Sequence, residues 1–325
     1  MEKTLYFHVE SLHIGEPQTS KSITMFPISV DWLYTKDYLI LDEALDKGLL
    51  EIREIDKEGS VPELVAITKS DIPVLLFAGQ ELIGAKQNRM LNTTVLLPSR
   101  SKTVIDVSCV EQGRWSYTDK RFSSGGMVMQ SLRESVVMES ADALRREGRP
   151  RANQGRVWDR IAERAEELQV RSPTSAQRDI FEKQTEAVRD VKRKFHIVDN
   201  QVGLLVLFNK KVAGIEVFPD SQTFELIFDS LLESYIIDAL DLPSVKIDRV
   251  TKMNKAKAFM DKIKGAKMES FPSVGLGSDI RLSGKSLMGF ALMHRERLYH
   301  LACFSKEKQN NKTRFGSYTR RTMVL

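Results

Sequence analysis

Two apolar runs split by a short polar turn leave a chain few choices, and this sequence repeats the pattern. Val202–Phe208 and Val212–Phe218 flank Asn209-Lys210-Lys211, and Leu287–Met293 and Leu298–Phe304 flank His294-Arg295-Glu296-Arg297. Such short runs around turn residues predict antiparallel hairpins. Val74–Phe77 and Leu82–Gly84, around Ala78-Gly79-Gln80-Glu81, predict a third hairpin with Gly79 at positive φ. Three similar units raise the expectation of an internal duplication.

The stretch Pro73–Trp115 carries the densest set of hydrogen-bonding side chains. Period two puts Gln87, Arg89, Leu91, Thr93, Val95 and Leu97 on one strand face. After the turn Pro98–Ser101, it puts Thr103, Ile105, Val107, Cys109 and Glu111 on another. Matching the apolar faces sets Val95 opposite Ile105, Leu91 opposite Cys109 and Arg89 opposite Glu111. A shift of two residues sets Gln87 opposite Glu111 instead.

In either register a carboxylate and a guanidinium point inward, where an unpaired charge costs about 3–5 kcal/mol. They must pair with each other, with Arg114, or with a ligand. Two readings stand: a structural pair closing one end of the sheet, and a binding site. In the second, Glu111 is the acid–base candidate and Glu81 joins it if the first hairpin folds over the mouth. Gln87 and Asn88 would read polar edges, and Trp115 would stack on a base or ribose or else fill the core. Cys109-Val110-Glu111-Gln112-Gly113-Arg114 echoes a cysteine–arginine anion loop. Glu111 opposes the electropositive setting such a thiol needs, and Trp115-Ser116-Tyr117 does not read as a helix, so Cys109 reads as a packed thiol.

Composition narrows the class. A chain of 325 residues, 42% hydrophobic and 29% charged, can bury a large core in one domain or two. Its net charge of +5 permits phosphate contacts without requiring them. The N-terminal residues lack a secretory h-region, and no run approaches a membrane span, so no membrane partner is expected. Cys109 and Cys303 lack metal-type spacing and read as reduced thiols of a cytoplasmic protein. His8 and His13, in a strand-like region, fall on opposite faces, and the five histidines show no ligand spacing. No metal or cofactor is expected.

Along the chain, Thr4–Val30 reads as short strands, with Pro27 at an edge. Leu41–Gly48 reads as a brief helix. After Trp115, Thr118–Gly126 is a turn-rich loop opening a helix at Met127, either an anion-binding N-terminus or a hinge. Helical character then runs to Glu147, from Val157 to Gln169, and from Ala176 to Phe195, a helical insertion over 127–196. Arg145, Arg146, Arg149, Arg151, Arg156 and Arg160 form a basic cluster, yet Glu163, Glu166 and Glu167 follow closely. A salt-bridged surface is one reading, a nucleic-acid patch the other. Phe224–Ile236 is amphipathic, a basic helix lies near Lys252–Lys264, and the tail 305–325 is expected to be flexible. The whole predicts a single α+β domain whose antiparallel, β-rich core is built from both ends of the chain, with an inserted helical segment.

The strings GQELIGAKQNR and SCVEQGRW resemble the ARG and rhodanese-phosphatase-superfamily-associated protein domain, type one. VGLLVLFNKKVAGIEVF and FPSVGLGSDIRLSGKSLMGFALMHRERLYHLACF are similar to that family's core as well. The family motif falls on Gln87, Asn88, Arg89, Cys109, Glu111, Arg114 and Trp115. The resemblance implies association with ADP-ribosylglycohydrolases and with pathways that use NAD and ADP-ribose. It implies a ligand class and no mechanism. The expectation is a cytosolic protein binding an ADP-ribose- or NAD-related nucleotide at the strand ends around 81–115, with catalysis left open. The alternative is a non-catalytic scaffold or sensor contacting nucleic acid or a protein through Arg145, Arg146, Arg149 and Arg151.

Overall fold

A computed structural model describes residues 2–32, 34–55, 60–116 and 121–306. It begins with helix α1 (Glu2–Glu10), strands β1 (Leu12–Ile14), β2 (Gln18–Ser20), β3 (Ile23–Val30) and β4 (Leu39–Ile40), and helix α2 (Leu41–Asp46). Strands β5 (Leu50–Glu54), β6 (Glu63–Thr68), β7 (Val74–Leu76), β8 (Gln80–Gly84), β9 (Arg89–Leu91), β10 (Val95–Leu97), β11 (Lys102–Cys109) and β12 (Phe122–Met127) follow. Four helices interrupt them: α3 (Gln130–Glu147), α4 (Gln154–Glu167), α5 (Gln177–Lys183) and α6 (Thr185–Lys192). Then come β13 (Gly203–Phe208), β14 (Lys211–Val217), α7 (Ser221–Ile236) and α8 (Arg249–Lys264). Strands β15 (Lys267–Pro272), β16 (Ser278–Gly284), β17 (Leu287–His294) and β18 (Arg297–Ser305) close the described chain.

The fold is α+β. Both ends of the chain build its largest sheet, ordered β1-β3-β13-β14-β18-β17-β16-β15 with β2 beside β3, and every pairing in it is antiparallel. The hairpins predicted at β13–β14 and β17–β18 are present. Their turns place Asn209, Arg295 and Glu296 at positive φ, as tight hairpin connections require.

Strand β13 shows why so apolar a run sits in an antiparallel sheet. Leu204, Val206 and Phe208 pack with Phe224, Ile227 and Leu231 of α7. Leu205 and Leu207 point the other way and pack with Leu5 and Val9 of α1 and Phe259 and Ile263 of α8. Both faces are covered, so both sets of alternating residues must be apolar. Asp220 caps α7 by accepting a hydrogen bond from Thr223 N at 2.7 Å.

A second core lies between the six-stranded sheet β12-β8-β9-β11-β6-β5 and the small sheet β10-β7-β4. The helical insertion joins the two cores. Arg133 of α3 reaches into the large sheet, where its Nη1 donates to Glu216 Oε1 and its Nη2 to Ser234 Oγ at 2.6 Å. Gly79 makes room for it. With φ of +81°, it turns the chain from β7 to β8, and a Cβ there would stand 2.2 Å from Arg133 Cδ.

Several expectations are corrected. Residues 2–10 form α1 instead of a strand, because Leu5 and Val9, four apart, share the helix face that docks on α8. His8 therefore lies on a helix and His13 on a strand, with no common sheet to divide. Strands β7 and β8 do not pair with each other: β7 joins β10 and β4, while β8 joins β9 and β12. The third hairpin, and the duplication inferred from it, are absent. Nor is 87–97 one strand, since it breaks at Asn92-Thr93-Thr94 and its halves enter different sheets.

Phe122–Met127 is strand β12, and the helix opens at Gln130. Two donors at its start are taken, Met129 N by Gln177 Oε1 at 2.9 Å and Ser131 N by Asp238 Oδ2 at 2.7 Å, so side chains fill the anion seat that one of the two readings placed here. Thr118, Asp119 and Lys120 of that predicted loop lie outside the described residues. Ser305, placed in the tail, ends β18, while 307–325 lie outside the described residues.

Candidate functional site

Strands β9 and β11 set the geometry of the predicted cluster. Leu91 pairs with Val107, Met90 with Ser108 and Arg89 with Cys109. This is the shifted register, and Gln87 accordingly lies by Glu111, its Nε2 donating to Glu111 O at 2.8 Å. Arg89 does not meet Glu111. It is wholly buried, donates from Nη1 to Gln87 Oε1 at 2.9 Å, and holds Nη2 at 3.7 Å from Glu54 Oε1 on β5.

Glu111 pairs with Arg114. Its Oε2 accepts from Arg114 Nε at 2.9 Å, Arg114 Nη2 at 2.7 Å and Asn88 N at 3.1 Å. Its Oε1 accepts from Thr174 Oγ1 at 2.9 Å. Burial pushes this carboxyl up, but the bonds from Arg114, Asn88 and Thr174 outweigh it and hold it below the usual range. Glu111 is thus an ionised carboxylate whose lone pairs are occupied by the protein. Arg114 extends the clasp to Ala85 O at 2.8 Å and Asn88 Oδ1 at 3.0 Å. The motif residues Gln87, Asn88, Glu111 and Arg114 do come together, and they spend their polar groups on one another.

Trp115 is 49% exposed, with Lys86 Nζ 5.2 Å and Arg89 Cζ 5.7 Å from its ring centroid. Cations thus lie over its ring, while about half of the residue stays exposed. Glu81 stands apart: β8 carries its carboxyl into a separate cleft with Gly125, Met127 and Arg178.

A much larger cavity, about 540 Å³, opens between α3, α4, the β13–β14 turn and the segment after α7. Glu134, Arg164, Lys210, Lys211, Asp238 and Asp241 line it. Burial raises the Glu134 carboxyl to about 7, against a bond from Gln130 Nε2 at 3.1 Å. Burial also raises Asp238, whose oxygens accept from Ser131 N at 2.7 Å and Ser131 Oγ at 3.0 Å. Arg164 donates to Ile237 O and, from Nη2, pairs with Asp241 at 2.8 Å. The cavity therefore combines a carboxyl able to exchange a proton near neutral pH with fixed cations and anions. Among the described residues, no group of three or more His, Cys, Asp or Glu side chains is placed to hold a metal ion.

Residues 11–304 match the ARG and Rhodanese-Phosphatase-superfamily-associated Protein domain. The chain belongs to that family. No curated protein and no solved structure matches it. The match runs from just before β1 to the penultimate residue of β18, so the large cavity and the Gln87–Trp115 cluster both lie within the family domain.

Sequence reasoning missed the cavity residues of this family member because they come from five separated segments. Asp238, an acid following the buried pair Ile236-Ile237, was the available signal. Five of the six arginines in the basic cluster of the insertion, all but Arg146, form ion pairs among the described residues. Arg145 bonds Glu269, Arg149 bonds Glu63 and Asp106, Arg151 bonds Glu63, Arg156 bonds Glu139 and Arg160 bonds Glu163. These arginines make the salt-bridged surface. Among the described residues, no helix is long and apolar enough to cross a membrane.

Cys109 is buried, its Sγ 3.0 Å from Glu111 O, and burial pushes its thiol up; burial does the same to Cys303. A buried, protonated thiol is a poor nucleophile. With a disulfide reagent at pH 7.5, neither thiol is expected to react until the protein unfolds. Rapid labelling of Cys109 in native protein would restore it as a catalytic candidate.

Proposed function

We propose that this protein binds a nucleotide-derived ligand of the ADP-ribose or NAD class in the large cavity and works in the cytoplasm. The cavity's volume of about 540 Å³ carries the reading, since ligand pockets occupy roughly 300–1,000 Å³. Its polar lining fits the same ligand. Lys210 and Lys211 offer exposed ammonium groups to a diphosphate, and Asp241 and Asp238 offer acceptors to ribose hydroxyls. Glu134 can give or take a proton at neutral pH, which general acid–base chemistry on the bound ribose would need. The association with ADP-ribosylglycohydrolases that the family resemblance implies supports the same ligand class.

Thermal unfolding with ADP-ribose, NAD, ADP and a short RNA tests this. A bound member at about 100 times its Kd adds roughly 2.7 kcal/mol to stability. The paired change Lys210→Ala with Lys211→Ala is expected to weaken binding at least about tenfold, as loss of charge-assisted phosphate bonds should. Absence of any nucleotide-induced shift, or a shift indifferent to those lysines and to Ala213→Phe in the cavity wall, would reject the reading. Salt-sensitive RNA binding lost on changing Arg145 and Arg146 would favour the scaffold instead.

A further inference from the structure

We infer that the cleft at Glu81 is a second binding site, separate from the nucleotide cavity, for a small aliphatic ammonium ion. Glu81 is 1% exposed, its Oε1 has no hydrogen-bond partner, and its carboxyl lines a cleft of about 130 Å³. That space equals about four water molecules' share of liquid volume. A buried carboxyl oxygen without a donor is unfavourable, so a ligand that supplies the donor gains an advantage over an empty cleft.

The cleft is kept open by its backbone. A Cβ on Gly125 would stand 2.9 Å from both Glu81 Oε2 and the Ile83 side chain. Gly126 holds φ of +84°, at the irregular step between Ser124 and Met127 where β12 slips against β8. Bulges of this kind re-aim side chains beside sites.

Most side-chain donors in its wall are already committed. Arg178 Nη1 donates to Gly125 O at 2.8 Å and its Nε to Glu182 Oε1 at 3.4 Å. Thr185 Oγ1 donates back to Phe181 O at 3.0 Å, and Ser230 Oγ to Ile227 O at 3.1 Å. What remains are acceptors. Glu81, Glu182 and Glu233 face Arg178 as the one cation in the lining among the described residues, while Lys192 stands behind, 2.7 Å from Glu233. Asp179 and Glu111 add negative charge nearby. Met127, Phe181 and Val188 give an apolar wall for a short carbon stem. A compact cation with an aliphatic tail meets all of these demands. An anion meets the carboxylates of Glu182 and Glu233, and a neutral alcohol brings no charge that could draw the Glu81 carboxyl into its ionised form.

Ammonium binding converts Glu81 from its protonated to its ionised form, releasing one proton to solvent as the ion pair forms. Calorimetric titration of the full chain with n-butylammonium at pH 7 reads this directly, with n-butanol as the uncharged control. Saturable binding of the amine is expected, with heats that differ between two buffers by nearly one proton released per site. Glu81→Gln, which keeps the volume, should weaken binding at least tenfold, and Gly125→Ala should do so by filling the cleft. Equal binding of amine and alcohol, no saturable amine binding, or amine binding untouched by both substitutions would overturn the assignment. Ligands of the larger cavity do not enter this readout, so it stands or falls alone.

Discussion

Arg133→Leu is expected to destabilise the protein by about 3–5 kcal/mol, the usual consequence of leaving one partner of a buried ion pair uncompensated. Arg133 and Glu216 are 3% and 1% exposed, and Tyr235 Oη also donates to Glu216 Oε1 at 2.8 Å. Burial pushes Glu216 up, but the Arg133 charge dominates and holds it at about 2. The sign follows. A carboxyl at 4.5 when unfolded and about 2 when folded contributes about 3 kcal/mol above pH 4.5, and that contribution is lost as pH falls toward 2. Without Arg133 the shift reverses, so the deficit of Arg133→Leu should be largest near neutral pH and narrow between pH 6 and pH 3. Urea unfolding across that range measures it. A deficit below about 1 kcal/mol would mean that the pair does not hold the helical insertion to the sheet.

Glu81→Gln should act in the opposite direction. Burial raises Glu81 to about 8, so between pH 4.5 and pH 8 the folded state keeps a proton that the unfolded chain has released. Stability present at acid pH is therefore lost as pH rises, by up to about 4–5 kcal/mol at pH 8. Glutamine removes this titration and leaves its own amide to be satisfied, at about 1–3 kcal/mol. The variant should be about 2 kcal/mol more stable than the parent at pH 8, with the gain gone or reversed at pH 5. Parallel stability–pH curves for parent and variant would show that Glu81 does not carry a raised pKa. The two changes also separate two kinds of buried acid: Glu216 belongs to the architecture, while Glu81 is held at a cost to it.

How far the residues could be read in advance depended on how local their information was. The β13–β14 and β17–β18 hairpins were legible because alternation and turn residues sit within a dozen positions of one another. The run Val74–Leu76 was not assignable to a partner. All three of its residues are buried, so its pattern is the same whichever strand it joins. At the predicted site, the meeting of Gln87 with Glu111 was within reach of pattern matching, and the alternative register contained it. The pairing of Glu111 with Arg114 was one of three options. Where Arg89 would go was not legible, since Glu54 lies 35 positions earlier on another strand.

By itself, then, the sequence determined the antiparallel α+β class, the helical insertion, the family and the polar motif, all of which reside in short-range periodicity and residue type. Tertiary structure alone decided that the motif closes on itself, that Glu81 faces a cleft of its own, and that a cavity of about 540 Å³ lies against the insertion. Those outcomes depend on burial and on contacts between residues far apart in the chain. A carboxyl's proton affinity and a cavity's walls are properties of that packing, and no local pattern encodes them.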